Sequence, residues 1–392
     1  MSLAGPLGLP LTPDEESLVR TAAAFMADEI APNVVAWERA KAPLPRHVFK
    51  EYARLGLSSL EVDAAHGGKG ASYFSKIRIA EVMARTCMAS TFALNNSQGS
   101  VTRLLREGSD SQIRRYLQGL MSGDLICAPS LTEPGAGSDF AAIKTSASKV
   151  AGGWVINGTK AWVTNGSNVD LLLLYAQTSP GAGASGIASF LVDLSANGVE
   201  RHPPYSVMGG HAIGASSISF SQVFVPNDDL FAPPGQAFKR ALRGITGART
   251  HVAAMATAIV EDSLRRAVAY AGERQAFGTA LLGHQGLRWS LADVATDVEA
   301  ARLLTYRSAH LIATGEDATL EAAQAKLFAS EMALRGIATC MQAMGAIGLS
   351  DAEPFGRHLA SARIAAYVDG TTEIQRDRIG ASLQKRYAGP EI

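Results

Sequence analysis

The chain has 392 residues, of which 47% are hydrophobic, and its 36 Lys and Arg residues balance its 36 Asp and Glu residues. This length predicts two or three domains with sizeable cores, and the balanced charge offers no overall field for nucleic acid or an anionic membrane. The three cysteines, Cys87, Cys127 and Cys340, match neither a disulfide framework nor a metal-binding pair, which favours reduced thiols in a cytoplasmic protein. The N-terminus lacks signal-peptide features and the longest apolar runs are short of a membrane span, so neither targeting nor membrane insertion is expected.

The segment from Leu11 to about Gly123 has helical periodicity. Its first helix has Thr12 as the expected N-cap and Pro13 at the first helical position, and Pro32 is expected to end it. Four further helical stretches follow between glycine-rich loops: PRHVFKEYARLG, YFSKIRIAEVMART, TFALNNSQGSVTRLLREG and SDSQIRRYLQGLMSG. Residues 1–124 are therefore predicted to form an N-terminal helical domain.

Between residues 125 and 234 the hydrophobic period changes to two. Short strands are predicted at KTSASKV, GGWVINGTKAWVTNG, LLLLYAQT, GIASFLVDL and SSISFSQVFVP. Within the second of these, Asn157-Gly158 is a dipeptide typical of a type I′ hairpin turn, after which the chain is expected to return. This part of the chain is predicted to form a small antiparallel β-barrel or sandwich domain.

From Gly235 the helical period resumes in long segments rich in Ala and Leu. The clearest are VEDSLRRAVAYAGERQAF, QGLRWSLADVATDVEAARLLTYRSAHLIATG and LEAAQAKLFASEMALRGIATCMQAMGAIG. Residues 235–392 are therefore predicted to form a C-terminal four-helix bundle. The whole chain is expected to be mainly α with a central β domain.

Two common kinds of site find no support in the sequence. The eight histidines are scattered without metal-ligand spacing, so no metal site is predicted. HGGKGAS lacks the spacing of a phosphate-binding P-loop, and the GAGS of LTEPGAGSD lies at a helix-to-strand transition instead of inside a βαβ unit. Neither a P-loop nor a Rossmann fold is expected.

The segment LTEPGAGSD, from Leu131 to Asp139, favours an ordinary turn-rich connector when it is taken alone. It is followed in order by NGTKAWVTNG, YAGERQAFGTALLGHQ, QAMGAIG and YVDGTTEIQR. Together the five motifs resemble those of the acyl-CoA dehydrogenase family, over nearly the whole chain. The resemblance implies FAD-dependent dehydrogenation of an acyl-CoA or carrier-bound acyl thioester to the 2-enoyl thioester. It also implies an electron-transferring flavoprotein as partner and a homotetramer built as a dimer of dimers.

The resemblance assigns cofactor-binding residues as well. Thr132 and Ser138 match the hydroxyls that touch the flavin ring edge and the cofactor phosphates, and Trp162 and Thr164 match residues that lie against the ring. Without the motif, Trp162 is equally a core aromatic on a strand. The other FAD contacts that the resemblance implies, some of them to the FAD of a neighbouring subunit, are Ser130, Leu131, Arg274, Phe277, Gln285, Gln342, Gly345, Thr371 and Glu373.

The catalytic position carries Asp369, where most of the family has a glutamate that removes the α-proton of the thioester. An Asp-Gly pair alone favours a turn, but its register against Gln375-Arg376 favours the base. A desolvated carboxylate is basic enough for this work. Aspartate is nevertheless shorter than glutamate by roughly 1.5 Å, and a displacement of about 1 Å can cost on the order of a hundredfold in rate. The second family position for the base is Ala248, which cannot serve, so either the substrate sits closer or the reaction differs.

The acyl pocket is implied by FALNNSQGSV, which matches the helix that lines it in the family. Asn95, Asn96 and Gln98 make this stretch more polar than a long-chain pocket requires. The residues expected to contact the substrate are Asn95, Gln98, Ser138, Arg249 and Gly370.

The sequence is also compatible with two other functions. One is an oxygen-using relative of the same fold, nitroalkane-oxidase-like or a flavin monooxygenase, whose reduced flavin reacts rapidly with O₂. The other is a non-catalytic protein that binds flavin or acyl thioesters, in which no acyl-CoA bleaches the flavin.

Overall fold

The structure is a computed structural model that describes residues 10–388. Its α-helices are α1 Pro13–Phe25, α2 Val34–Arg39, α3 Arg46–Arg54, α4 Tyr73–Glu107, α5 Asp110–Met121, α6 Ala237–Glu273, α7 Gln285–Ala313, α8 Thr319–Met344, α9 Phe355–Tyr367 and α10 Thr372–Tyr387. Its strands are β1 Cys127–Ser130, β2 Ser146–Val150, β3 Gly153–Val163, β4 Leu171–Gln177, β5 Ile187–Asp193, β6 Val199–Pro204, β7 Ser216–Pro226, β8 Leu230–Ala232, β9 Gln275–Ala276 and β10 Thr279–Ala280. The predicted order of helices, central sheet and helices is confirmed.

The N-terminal helices begin where the sequence signals them. Thr12 accepts a hydrogen bond from the Glu15 N–H, and the Glu15 carboxylate accepts one from the Thr12 N–H, which closes a capping box before Pro13. Two stretches that were expected to be separate helices form the single helix α4, which is kinked where Cys87 leaves helical geometry at φ −158° and ψ 105°. The kink lets one long helix run through the core of the N-terminal part.

The central strands form one sheet in the order β6-β7-β3-β2-β4-β5-β8, and β1 pairs in parallel with β4. The predicted hairpin at Asn157-Gly158 is wrong, because β3 continues through that dipeptide and the chain reverses at Ala151-Gly152 instead. The pairing of β3 with β7 shifts register here, and Gln222 of β7 donates its N–H to the Asn157 side chain. Asn-Gly therefore forms a β-bulge, the other structure that its backbone freedom permits.

Helix α8 lies inside the C-terminal bundle, where it packs against α6, α7, α9 and α10. By length and composition alone, the segment Thr319–Leu349 is apolar enough to cross a membrane, which was not expected from the sequence. Such a helix is also typical of the core of a soluble bundle. Lys326 of α8 is buried there and donates to the Ala366 carbonyl in the last turn of α9 and to the Gly370 carbonyl beyond it.

A buried ion pair fixes the loop that follows β1. The Lys160 ammonium on β3 lies 2.8 Å from a Glu133 carboxylate oxygen, and both side chains are buried. The two carboxylate oxygens of Glu133 also accept the N–H groups of Lys144 and Thr145. Burial lowers the pKa of Lys160 to about 8, although the Glu133 charge opposes this shift. The loop of residues 131–134 is thus tied to the middle of β3.

Replacing Lys160 by methionine should lower the free energy of unfolding by about 3–5 kcal/mol, because the buried Glu133 carboxylate loses its countercharge. Urea unfolding of the purified holoprotein measures the change. Lys144→Met is the matched control, since the Lys144 side chain is exposed, and it should stay within about 0.5 kcal/mol of the parent. Adding Glu133→Leu to Lys160→Met should recover most of the loss. Equal stability of the two single methionine variants would contradict a structural role for the pair.

Candidate active site

The chain reverses between α9 and α10 in a short turn at Asp369 and Gly370. Their φ angles are +53° and +92°, in the left-handed region that side chains rarely adopt. A Cβ atom on Gly370 would lie 3.0 Å from the Gln375 amide nitrogen and 3.4 Å from a guanidinium nitrogen of Arg249. Thr371 then caps the N-terminus of α10. The turn is therefore tight enough to need glycine at position 370.

Three side chains from different helices hold the carbonyl oxygens of this turn. Arg249 of α6 donates its Nε–H to the Asp369 carbonyl at 3.0 Å. Lys326 of α8 donates to the Gly370 carbonyl at 2.6 Å, and Gln375 of α10 donates to the same oxygen at 2.8 Å. All three side chains are buried. The position of Asp369 is therefore set by its backbone, which leaves its carboxylate free for another task.

The Asp369 carboxyl group is in a low-dielectric setting. Burial raises its pKa, and the positive charges of Lys326 and Arg249 only partly oppose that shift. Burial also lowers the pKa of Lys326 to about 8 and that of Arg249 to about 10. Among the described residues, neither the Asp369 carboxylate nor its backbone N–H has a hydrogen-bond partner. The group is thus a more basic carboxylate than an exposed aspartate, with an open face.

A cavity of about 860 Å³ lies in front of Asp369. Asn95 of α4, Ala248 and His251 of α6, and Leu131 of the loop after β1 contribute to its wall. Its size is typical of small-molecule sites. The second family position for a base, Ala248, presents only a methyl group to the cavity, so Asp369 is the better-placed carboxylate.

The same cavity contains charged residues that the sequence motifs did not indicate. Lys76 is buried and its ammonium lies 2.6 Å from a Glu61 carboxylate oxygen. Tyr73 lies close to both, and burial together with the charges of Glu61 and Asp369 raises its pKa. The sequence carried one indication of these polar cavity residues: Lys76 and His251 occur on otherwise apolar helix faces.

The residues predicted to lie against the flavin ring, Trp162 and Thr164, occur at the C-terminal end of β3. Trp162 has a φ of +55°, is 56% exposed and stacks on Tyr205 with ring centroids 4.1 Å apart. The hydroxyl of Ser130 is buried without a partner among the described residues, and the Thr132 carbonyl accepts the Ala161 N–H at 2.9 Å. An exposed indole and an unpaired hydroxyl are groups that fit the ring face and the polar edge of a flavin.

The remaining predicted residues fall into separate groups. Gly370 and Arg249 adjoin Asp369, and Gln98 lines a smaller cavity of about 10 Å³ that shares His251 and Asn95 with the large one. Thr164 and Thr371 are half-buried, and Ser138 and Glu373 are exposed and do not line the large cavity. The residues expected to reach a neighbouring subunit's FAD are exposed and stand outside this cavity: Arg274, Phe277, Gln285, Gln342 and Gly345.

Comparison with known proteins gives a consistent result along the chain. Family models of the acyl-CoA dehydrogenase N-terminal, middle and C-terminal domains match residues 12–124, 128–223 and 235–384. The mitochondrial short-chain-specific acyl-CoA dehydrogenase of Bos taurus is 35% identical over 346 residues, which cover 88% of this chain and 84% of that protein.

Comparison with solved structures points to the same family. Butyryl-CoA dehydrogenase from Megasphaera elsdenii is 29% identical with a TM-score of 0.92, and the match covers 96% of this chain and 99% of that one. A structure described as the electron transferring flavoprotein of Acidaminococcus fermentans is 30% identical, again with a TM-score of 0.92 and the same coverage.

Replacing Gly370 by alanine should destabilise the protein by about 1–3 kcal/mol, because a Cβ at this φ strains the turn and crowds Gln375 and Arg249. Gly380→Ala is the matched control, since Gly380 lies in α10 and a Cβ atom added there would have no neighbour within 4 Å. This control should stabilise the protein by up to about 1 kcal/mol. Thermal and urea unfolding compare the two. A Gly370→Ala variant as stable as the control would show that the turn is not strained.

Proposed function

This chain belongs to the acyl-CoA dehydrogenase family of flavin oxidoreductases, and from that premise we propose that Asp369 is the base that removes the α-proton of an acyl thioester. One observation carries the proposal. The Asp369 carboxylate has a raised pKa, faces a ligand-sized cavity and makes no hydrogen bond to another described residue. The carboxylate oxygens of a structural aspartate in a turn ordinarily accept hydrogen bonds from nearby backbone N–H groups.

FAD is the cofactor, and when bound it would supply the acceptor for the hydride that leaves Cβ of the acyl group. Thr132, Trp162 and Thr164 are the residues that would hold its ring. The chain itself supplies the proton acceptor. Desolvation raises the pKa of Asp369 and makes it more basic, while the charges of Lys326 and Arg249 favour its charged form. The product of this chemistry is a 2-enoyl thioester.

The thioester carbonyl must be polarised while the α-proton leaves. The backbone N–H of Asp369 is unpaired within residues 10–388, so it is available to donate to that oxygen. A fixed N–H donor is effective because it needs no reorganisation as negative charge develops. The hydrogen bond from Arg249 to the Asp369 carbonyl fixes the orientation of this part of the backbone.

We propose an electron-transferring flavoprotein as electron acceptor and a homotetramer, a dimer of dimers, as the assembly. The similarity to the Acidaminococcus fermentans structure supports the first. For the second, Phe277 is 98% exposed and lies near the exposed Arg274, as expected of side chains that complete a site on another subunit. A cytoplasmic location is proposed because the three cysteines are free thiols.

Asp369→Asn should retain FAD and ligand binding but slow flavin bleaching by an acyl-CoA about 10²- to 10⁴-fold, because the amide has no useful basicity. Anaerobic stopped-flow absorbance and solvent deuterium exchange at the α-carbon measure the effect. Asp377→Asn, which changes an exposed aspartate of α10, is the matched control and should match the parent. Undiminished exchange in Asp369→Asn would show that another group is the base.

The pH dependence of the parent tests the same assignment. A group whose folded pKa is raised loses its basic form at a higher pH than usual. The reduction rate should therefore fall with decreasing pH, with an apparent pKa above the ordinary aspartate value of 3.8. The residual rate of Asp369→Asn should show no such step.

Asp369→Glu distinguishes a misplaced base from an adapted cavity. The added methylene meets a backbone at φ +53° and a cavity shaped around the shorter side chain, so we expect slower flavin reduction by the preferred substrate. Butyryl-CoA and hexanoyl-CoA should reduce this variant no faster than they reduce the parent. A glutamate variant that turns over these straight-chain thioesters much faster would show that the cavity had not adapted.

A further inference from the structure

The cavity in front of Asp369 is polar at the side formed by α4 and α6. The side chain of His251 is 3% exposed, and both of its ring nitrogens lack a partner among the described residues. Gln98 is 1% exposed, and both its amide oxygen and its amide nitrogen are also unpaired. An unpaired buried polar group costs about 1–3 kcal/mol, and four such atoms on two side chains that line the same small cavity point to a ligand.

These groups line two adjacent cavities that share part of their wall. His251, Asn95 and Lys76 line both the large cavity and the small cavity of about 10 Å³, and Gln98 lines the small one. The small cavity has room for about one water molecule or one substituent. Tyr73, whose ring lies edge-on to His251 with centroids 5.7 Å apart, also lines the cavity that contains Asp369. A molecule bound in the large cavity in front of Asp369 therefore adjoins the residues that line the small cavity.

The charges of the subsite are already matched. Lys76 pairs with Glu61 at 2.6 Å, and burial together with the Lys76 charge lowers the pKa of His251, which favours the neutral imidazole. An added carboxylate would lie near Glu61, and an added ammonium would lie near Lys76. Burying either unpaired charge is costly. The unpaired groups that remain include both donors and acceptors, which a hydroxyl can satisfy simultaneously.

We propose that the substrate is an acyl thioester whose acyl chain carries a hydroxyl group, bound by His251, Gln98 and Asn95. The proposal deepens the function above and rests on it, because it takes the large cavity as the acyl site. A plain alkyl chain would leave the imidazole and the amide unpaired, whereas a hydroxyl donates to one and accepts from the other.

Binding to the Asp369→Asn holoprotein tests this without depending on proton removal. Isothermal titration would compare hexanoyl-CoA, 6-hydroxyhexanoyl-CoA, adipoyl-CoA and 6-aminohexanoyl-CoA, with butyryl-CoA and 4-hydroxybutyryl-CoA as a shorter pair. At one or both lengths the hydroxyl compound should bind at least about tenfold more tightly than its alkyl counterpart, and more tightly than either charged analogue. Equal or tighter binding of the alkyl thioesters at both lengths would overturn the proposal, as would tightest binding of the dicarboxylyl or amino compound.

A substitution at Gln98 tests whether this residue causes the preference for a hydroxyl group. Gln98→Leu should reduce the hydroxyl-to-alkyl affinity ratio to below about threefold. The exposed Gln118→Leu on α5 has the same chemical change and should keep the parent's ratio. A ratio unchanged in folded Gln98→Leu would remove the amide from the subsite and overturn the assignment.

Failure of this proposal and failure of the proposed function give different results. Flavin bleaching by acyl-CoA in the parent with no hydroxyl preference would overturn only the subsite. A hydroxyl preference in binding with no bleaching by any thioester would overturn only the dehydrogenation.

Discussion

The turn between α9 and α10 carries the one carboxylate on which the proposed chemistry depends, and its geometry is held by groups that never touch that carboxylate. Arg249, Lys326 and Gln375 donate to the carbonyl oxygens of Asp369 and Gly370 from three different helices. Buried donors that are satisfied by backbone acceptors contribute rigidity, because breaking any of them leaves an unpaired polar group in the core. The positive φ of Asp369 can therefore persist, and the side chain projects into the cavity with its oxygens uncommitted.

Burial and charge act against each other at this site, and the balance sets its chemistry. Desolvation favours the protonated form of Asp369 and raises its pKa, whereas the charges of Lys326 and Arg249 favour the carboxylate and limit that rise. The same burial lowers the pKa of Lys326 to about 8, so the lysine is itself only moderately stabilised in its charged form. The result is a buried carboxylate with raised basicity that faces a cavity, as proton removal next to a carbonyl requires.

The replacement of glutamate by aspartate and the polar wall of the cavity are two departures from an ordinary acyl site, and they lie on either side of one space. A shorter base leaves more room between the turn and helices α4 and α6. That space is lined by hydrogen-bonding groups, which belong to Glu61, Tyr73, Lys76 and His251. Both features are compatible with a substrate that is bulkier or more polar than a straight alkyl chain.

Local sequence determined the features that depend on neighbouring residues. Thr12 and Pro13 start α1 because capping is completed within four residues, and the motif around Asp369 could be placed by its fixed register. Features that depend on distant contacts were decided only by the tertiary structure. Asn157-Gly158 could form a hairpin or a bulge, and pairing with β7 selected the bulge. Likewise, Lys76, His251 and Lys326 look like solvated or core residues in their own helices, and their roles arise because packing places them around one cavity and one turn.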